Sequence, residues 1–327
     1  MRYRPLAGTG LTVSGIGFGA WGIGGWTPGE LSYGTTDDAV SLAALDRALE
    51  LGVTFIDTAP LYGLGRSEEL IGQAIRGRRD RVVVATKAGY RDYSTPADYS
   101  PAGIVQSLER SLRRLGTDHV DLLQLHSPSI DLLRGNGPII DCLAGLVQKG
   151  LIRGWGLSVN SPAEGAAAIR EFRCPVVQAN FNMLDVRAIE CGLFELARSA
   201  GSAVIARTPL NFGFLVEDFA DDTVFPPEDH RSRWNGGPVA RWARMARAIA
   251  AATGGGDAAA RVRTALRFCL SFDAVAAVIP GILTPRQAEE NAAAGDLDPL
   301  PPEIVDTIVA MSRDAGTAPA ARTKPEP

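Results

Sequence analysis

Cysteine and histidine are both scarce in this chain. Its four cysteines, Cys142, Cys174, Cys191 and Cys269, lie far apart, and none belongs to a C-x-x-C pair. That spacing argues against a zinc ribbon or a disulfide framework, so four reduced thiols in a cytoplasmic protein are expected. The three histidines, His119, His126 and His230, form no H-x-x-x-H or comparable ligand pattern, and no metal is expected. No apolar run reaches the roughly 18 residues of a spanning helix, and the opening "MRYRPLAGTG" lacks the apolar core of a signal peptide. An excess of one charge is lacking too: 33 basic residues stand against 37 acidic ones, a formal net charge of −4. Neither a nucleic-acid partner nor a membrane surface is expected from that balance. The basic run "RGRRDR" (76–81) has no aromatic partners and reads as a solvated connection.

What the chain does have is regular alternation. Hydrophobic residues make up 46% of its 327 positions and charged residues 21%, a balance that suits a buried core. Short apolar runs recur as "GIGFGAW" (15–21), "GVTFID" (52–57), "RVVVATK" (81–87), "VDLLQLH" (120–126), "GWGLSV" (154–159), "PVVQAN" (175–180), "AVIAR" (203–207) and "VAAVIP" (275–280). Helical patterns separate them, over 38–50, 67–76, 101–115, 138–149, 161–171, 186–200, 239–252, 257–271, 284–294 and 302–312. In the segment 100–116, Ser100 suits an N-cap and Pro101 the first helical position. Ile104, Leu108, Leu112 and Leu115 make one apolar stripe, and Gly116 stops the helix. Apolar strands divided by helices indicate a parallel sheet covered by helices. Eight such repeats predict an α/β fold, a (β/α)8 TIM barrel, over residues 1–314. "YRPLAGTGLTV" reads as an N-terminal β-hairpin, 211–237 as a long loop after strand 7, and 315–327 as a disordered tail. A doubly wound open sheet is the alternative.

Gly17, Gly19 and Gly22 satisfy G-x-G-x-x-G with Asp37 and Asp38 downstream, a pattern that belongs to that alternative. A dinucleotide fingerprint needs its third glycine to open a helix. Here "IGGWTPGELSYG" follows, and no helix begins before about Asp37. The glycines are better explained by a close backbone approach at a strand end.

The apolar runs close on polar residues: Asp57, Lys87, His126, Ser158, Gln178 and Arg207. In a (β/α)8 barrel these C-terminal strand ends form one rim, where active sites lie. "FIDTAPLYG" (55–63) adds Tyr62 to that rim. A phenol exchanges protons poorly near neutrality, with a reference pKa of about 10, and a neighbouring ammonium favours its ionised form. Asp57 would hold Lys87 charged, Tyr62 would act as general acid or base, and His126 would bond the reacting oxygen. This set suits reduction of a carbonyl to an alcohol. Ser67 and Ser127 lack a His–acid partner and are not read as nucleophiles.

These residues resemble the aldo-keto reductase family. "YRPLAGTGLTVSGIGFGAWGIGG", "FIDTAPLYGLGRSEELIGQAI", "VVVATKAG", "VDLLQLHSP", "IRGWGLSV", "VVQANFN", "RTPLNFGFL" and "VIPGILTPRQAEEN" follow in family order, across residues 3 to 312. The resemblance implies a barrel that binds NADPH, or less often NADH, along its C-terminal rim. It assigns a catalytic tetrad to Asp57, Tyr62, Lys87 and His126. It also implies that Ser158 and Gln178 hold the nicotinamide carboxamide, with Gly19, Ala20, Trp21, Asp57, Asn160 and Arg207 as further cofactor contacts. Leu210, Asn211 and Gly213 would run beside the pyrophosphate, with Thr208 and Pro209 as further cofactor contacts, and Gly281, Thr284, Gln287, Glu290 and Asn291 beside the adenosine. Trp21 would also line the substrate pocket. There are departures. Val159 stands where relatives carry an amide, and Arg207 where an aromatic ring often stacks. Gly281 and Ile282 replace basic or polar residues, leaving Arg286 and the segment 229–234 as other cations for a 2′-phosphate.

A small-molecule carbonyl or sugar is the implied partner. Its pocket would draw on 21–34, 90–99, 127–137 and 212–237, with Tyr90, Tyr93, Tyr99, Phe212, Phe214 and Trp234 available either as an aromatic wall or for simple packing. Two other functions compete: an NAD(P)+-dependent sugar or alcohol dehydrogenase, and a non-catalytic cofactor-sensing regulatory subunit. His119 reads as structural and His230 as a surface-loop residue. The sequence is silent on oligomeric state.

Overall fold

Residues 1–25, 34–227 and 229–314 are described by the computed structural model of the chain. The expected tail 315–327 and most of 21–34 lie outside the described residues. Two antiparallel strands open the chain, β1 (Tyr3–Leu6) and β2 (Leu11–Ser14), in register Tyr3↔Ser14. The turn between them is made by Gly8 and Gly10, both at positive φ.

Eight parallel strands follow, each hydrogen-bonded to the next in chain order. They are β3 (Phe18–Gly19), β4 (Phe55–Asp57), β5 (Val83–Ala88), β6 (Val120–His126), β7 (Ile152–Ser158), β8 (Val176–Asn180), β9 (Ala203–Arg207) and β10 (Val275–Ile279). The sheet closes on itself through Ile16↔Val278 and Gly19↔Gly281. There Gly17 donates to Val278 O at 2.8 Å and Gly19 to Pro280 O at 2.9 Å. The fold is a (β/α)8 barrel with an N-terminal hairpin, and the open sheet is excluded. The glycines of the false fingerprint make that closure: a Cβ on Gly19 would lie 2.7 Å from Pro280 O.

Helices cover the outside. Ser100 caps the helix Pro101–Leu115 by accepting from Gly103 N at 3.1 Å, and Gly116 ends it at φ 63°. One expected helix differs: 186–200 is two pieces, Arg187–Glu190 and Leu193–Ala200, because Gly192 between them adopts φ 71°. A short helix, Ile130–Arg134, was not expected. All four cysteines are free. No helix among the described residues is long and apolar enough to cross a membrane.

The barrel interior is layered by the period-2 alternation of its strands. Phe55, Val83, Ala85, Leu122, Val176, Ala203 and Ile205 pack with Leu6, Leu11 and Val13 of the hairpin into one apolar plug. The next inward positions toward the C-terminal end are Asp57, Lys87, Gln124, Gln178 and Arg207. A polar layer therefore rests on an apolar floor.

Candidate active site

Lys87 is the centre of the polar layer. It is 1% exposed, and its ammonium donates to Asp57 Oδ2 at 2.7 Å, Thr58 O at 2.8 Å and Tyr62 OH at 3.1 Å. An ammonium has three donors, so each has one acceptor. Burial alone would disfavour the charge, but the Asp57 carboxylate, followed by Tyr62, outweighs it and holds Lys87 above the ordinary lysine value. Asp57, itself 2% exposed, is satisfied on its other oxygen. Its Oδ1 accepts from Gln178 Nε2 at 2.7 Å and from Gln124 Nε2 at 2.9 Å.

Tyr62 stands on a turn whose following residues, Gly63, Leu64 and Gly65, are all left-handed. Gly24 packs directly against that turn, since a Cβ there would lie 2.7 Å from the Tyr62 carbonyl carbon. The helix Arg66–Ala74 then braces both neighbouring strands from outside the barrel. Ser67 bonds Thr58 Oγ1 at 2.8 Å and Ala20 O at 2.9 Å. The buried Glu68 accepts from Thr86 Oγ1 at 2.6 Å and from Arg114 Nε at 2.6 Å. His126 ends β6 with its ring centroid 6.2 Å from that of Tyr62, edge to face. Tyr99 donates to the His126 carbonyl at 2.5 Å, and the Tyr90 ring stands 5.6 Å from the imidazole.

The residues expected to hold a cofactor form an arc from β7 through β10 to β3. Ser158 donates to Gln178 Oε1 at 3.2 Å. Arg207 reaches Asn180 Oδ1 at 2.8 Å, Val159 O at 2.8 Å and Ser158 Oγ at 3.3 Å. Val159 is buried, so its side chain leaves this face; Asn160 is exposed and donates to Ser127 O at 3.3 Å. Thr208, Asn211, Phe212 and Gly213 all adopt positive φ. After β10, Thr284 caps the helix Pro285–Ala292, Gln287 Oε1 accepts from Leu283 N at 2.7 Å, and Glu290 pairs with Arg286 at 2.7 Å. Asn291 is buried, whereas Gly281 faces open space where a Cβ would meet nothing within 4 Å. Asn211 supplies a fit test. It is 5% exposed, yet its Nδ2 has no hydrogen-bond acceptor among the described residues. A buried donor without a partner is costly, and a ligand acceptor at the rim would relieve it.

Several expectations change. His230 is 0% exposed, packed edge-on against Trp21 with centroids 4.8 Å apart and beside Phe212 and Trp234. It is a core residue of the folded 211–237 segment, because that segment lies against Trp21 instead of standing in solvent. Of the two readings open for Phe214, it takes the packing one: it is buried against Trp242. Gln124 went unnoticed in the sequence, although it occupies the same inward phase as His126 two residues on.

An eight-stranded parallel barrel thus gathers a buried lysine and aspartate and a half-buried tyrosine at its C-terminal rim. The chain matches the model of the Aldo/keto reductase family over residues 15–313. It is 33% identical over 237 residues to the aldo-keto reductase YhdN of Bacillus subtilis, covering 71% of this chain and 69% of that one. The aldo-keto reductase yakc [NADP(+)] of Schizosaccharomyces pombe is 32% identical over 68% of this chain and 65% of its own. Among solved structures, the holo form of an aldo-keto reductase from Bacillus halodurans superimposes with a TM-score of 0.79 at 28% identity, over 98% of this chain and 99% of that one. The chain belongs to the aldo/keto reductase family, and its class is that of an NAD(P)-dependent oxidoreductase.

Proposed function

We propose that this protein reduces an aldehyde, ketone or sugar carbonyl to an alcohol, with Tyr62 as proton donor. The observation that carries the reading is the saturated Lys87 ammonium, which touches the Tyr62 oxygen at 3.1 Å while Asp57 neutralises it at 2.7 Å. When bound, NADPH, or NADH, supplies the hydride. Gln178, Ser158 and Arg207 would hold its nicotinamide end, Asn211 and Gly213 its phosphates, and Gln287, Glu290 and Asn291 its adenosine.

As negative charge develops on the carbonyl oxygen, Tyr62 gives up its phenolic proton to it. The phenolate left behind is stabilised by the Lys87 N–H that points at it, and His126 orients the same oxygen. Asp57 takes no proton; it keeps Lys87 charged inside a site nearly closed to water. The reverse path, alcohol to carbonyl, uses the same groups. NADPH is favoured over NADH because Arg286 can meet a 2′-phosphate, although it is paired with Glu290 at 2.7 Å and would have to exchange partners.

Tyr62→Phe tests the reading. Turnover with NADPH and an aldehyde panel is expected to fall by roughly 10²–10⁴, with NADPH still quenching protein fluorescence at wild-type affinity. Wild-type turnover in that variant would refute the proton-donor role.

A further inference from the structure

Asp57 must keep one oxygen on Lys87 while buried, and nothing cationic faces its other oxygen among the described residues. Two neutral carboxamides do. Gln124 and Gln178 donate to Oδ1 at 2.9 and 2.7 Å, and Gln178 Nε2 also lies 3.2 Å from Gln124 Oε1. Because a carboxylate only accepts, both amide nitrogens must point at Asp57, which settles the orientation of each. The two glutamines are not equivalent. Gln178 also bonds Ser158, on the arc proposed for the nicotinamide, so it answers to two sites. Gln124 is 0% exposed, sits in register with Lys87 across β5 and β6, and serves Asp57 from within the barrel.

We propose that Gln124 is a positioning residue for the reaction: its carboxamide fixes the Asp57 carboxylate so that Oδ2 stays on Lys87, and the ammonium stays on Tyr62. The proposal rests on Tyr62 being the proton donor. Neutral donors suit the task because a second cation would compete with Lys87 for Asp57. Without the Gln124 donor, that oxygen is held by Gln178 alone and the carboxylate can turn away from Lys87. The titratable groups around this amide are Asp57 from β4, Lys87 from β5, and His126 and Tyr62 toward the rim. Gln178 and Ser158 are neutral, and Arg207 approaches through Ser158.

Three variants test this, with 4-nitrobenzaldehyde as the carbonyl probe and NADPH as reductant. Gln124→Met keeps the shape and removes the donor; kcat is expected to fall by about ten- to a hundredfold, from misplacement alone, with KM for NADPH nearly unchanged. Gln124→Glu behaves differently with pH. While the introduced carboxyl keeps its proton, it donates to Asp57 Oδ1 in place of the amide, and kcat near pH 5.5 stays within about threefold of wild type. Once it ionises against Asp57, kcat relative to wild type drops by about tenfold or more toward pH 8.5. A group that merely fills space would give no such crossover. A second readout needs no turnover: in Gln124→Met the Lys87 ammonium, followed by NMR in the free protein, loses its proton at lower pH than in wild type. Gln124 variants with wild-type kcat, pH profile and Lys87 titration overturn the proposal. Tyr62→Phe in the same assay separates the two ideas, because an active Tyr62→Phe defeats the proton-donor reading itself.

Discussion

A fully buried lysine with each of its three protons assigned to a different acceptor is a local solution to a local problem. Lys87 would shed its charge in an apolar setting; Asp57 at 2.7 Å prevents that. The sign of the pH effect follows from the raised native value. The stability contributed by the ammonium is complete below the ordinary lysine value of about 10.4 and is lost as pH rises through the higher native one. Urea midpoints measured across the alkaline range are expected to drop there for wild type but not for Lys87→Met. At neutral pH that variant strands a buried carboxylate and loses about 3–5 kcal/mol. At this scale the sequence was informative where chemistry is concentrated: Asp57, Tyr62 and Lys87 stood out because ionisable groups interrupt apolar runs. Gln124 did not, because a neutral amide inside "LLQLH" carries no charge to draw notice, and only its contact with Asp57 reveals its use. His230 misled for the opposite reason, a polar residue in a Pro- and Asp-rich segment that folds inward onto Trp21.

Among the elements, the helix Arg66–Ala74 stands behind the site. Its Ser67 and Glu68 bond Thr58 and Thr86, the residues next to Asp57 and Lys87, so one helix sets the relation of β4 to β5. Glu68 is fully buried and Arg114, its cation, is only partly exposed. Removing the carboxylate in Glu68→Leu is expected to cost about 3 kcal/mol, and Glu68→Gln less, since it can still accept from Thr86. Equilibrium urea unfolding at unchanged m-value measures both. Helix boundaries were largely legible because Ser100, Ser161, Asp37 and Asp257 all cap helices by side-chain acceptance. The break at Gly192 was not, because the apolar period runs on across it while the backbone turns left-handed.

For the whole molecule, closure of the barrel is the decisive event, since it turns seven strand-to-strand pairings into a ring and gathers the rim. The β3–β10 seam depends on glycine, with Pro280 O and Ile279 O at 2.7 and 2.9 Å from where a Cβ of Gly19 would sit. Gly19→Val is therefore expected to push the seam apart, lowering stability by about 1–3 kcal/mol and weakening NADPH binding. Thermal unfolding and a fluorescence titration of the same sample report both effects.

Alternation of apolar strands with capped helices determined a helix-covered parallel sheet from sequence alone, because a parallel strand buried on both faces must be apolar and its crossover must be long. That the sheet closes into a barrel was decided by the pairings Ile16↔Val278 and Gly19↔Gly281. The same pattern placed the ionisable residues at strand ends. Which of them touch was decided by tertiary structure. Gln124 and Gln178 lie 67 and 121 positions from Asp57 along the chain. Only the curvature of the closed barrel brings the inward faces of the alternate strands β4, β6 and β8 together so that both amides meet one carboxylate oxygen.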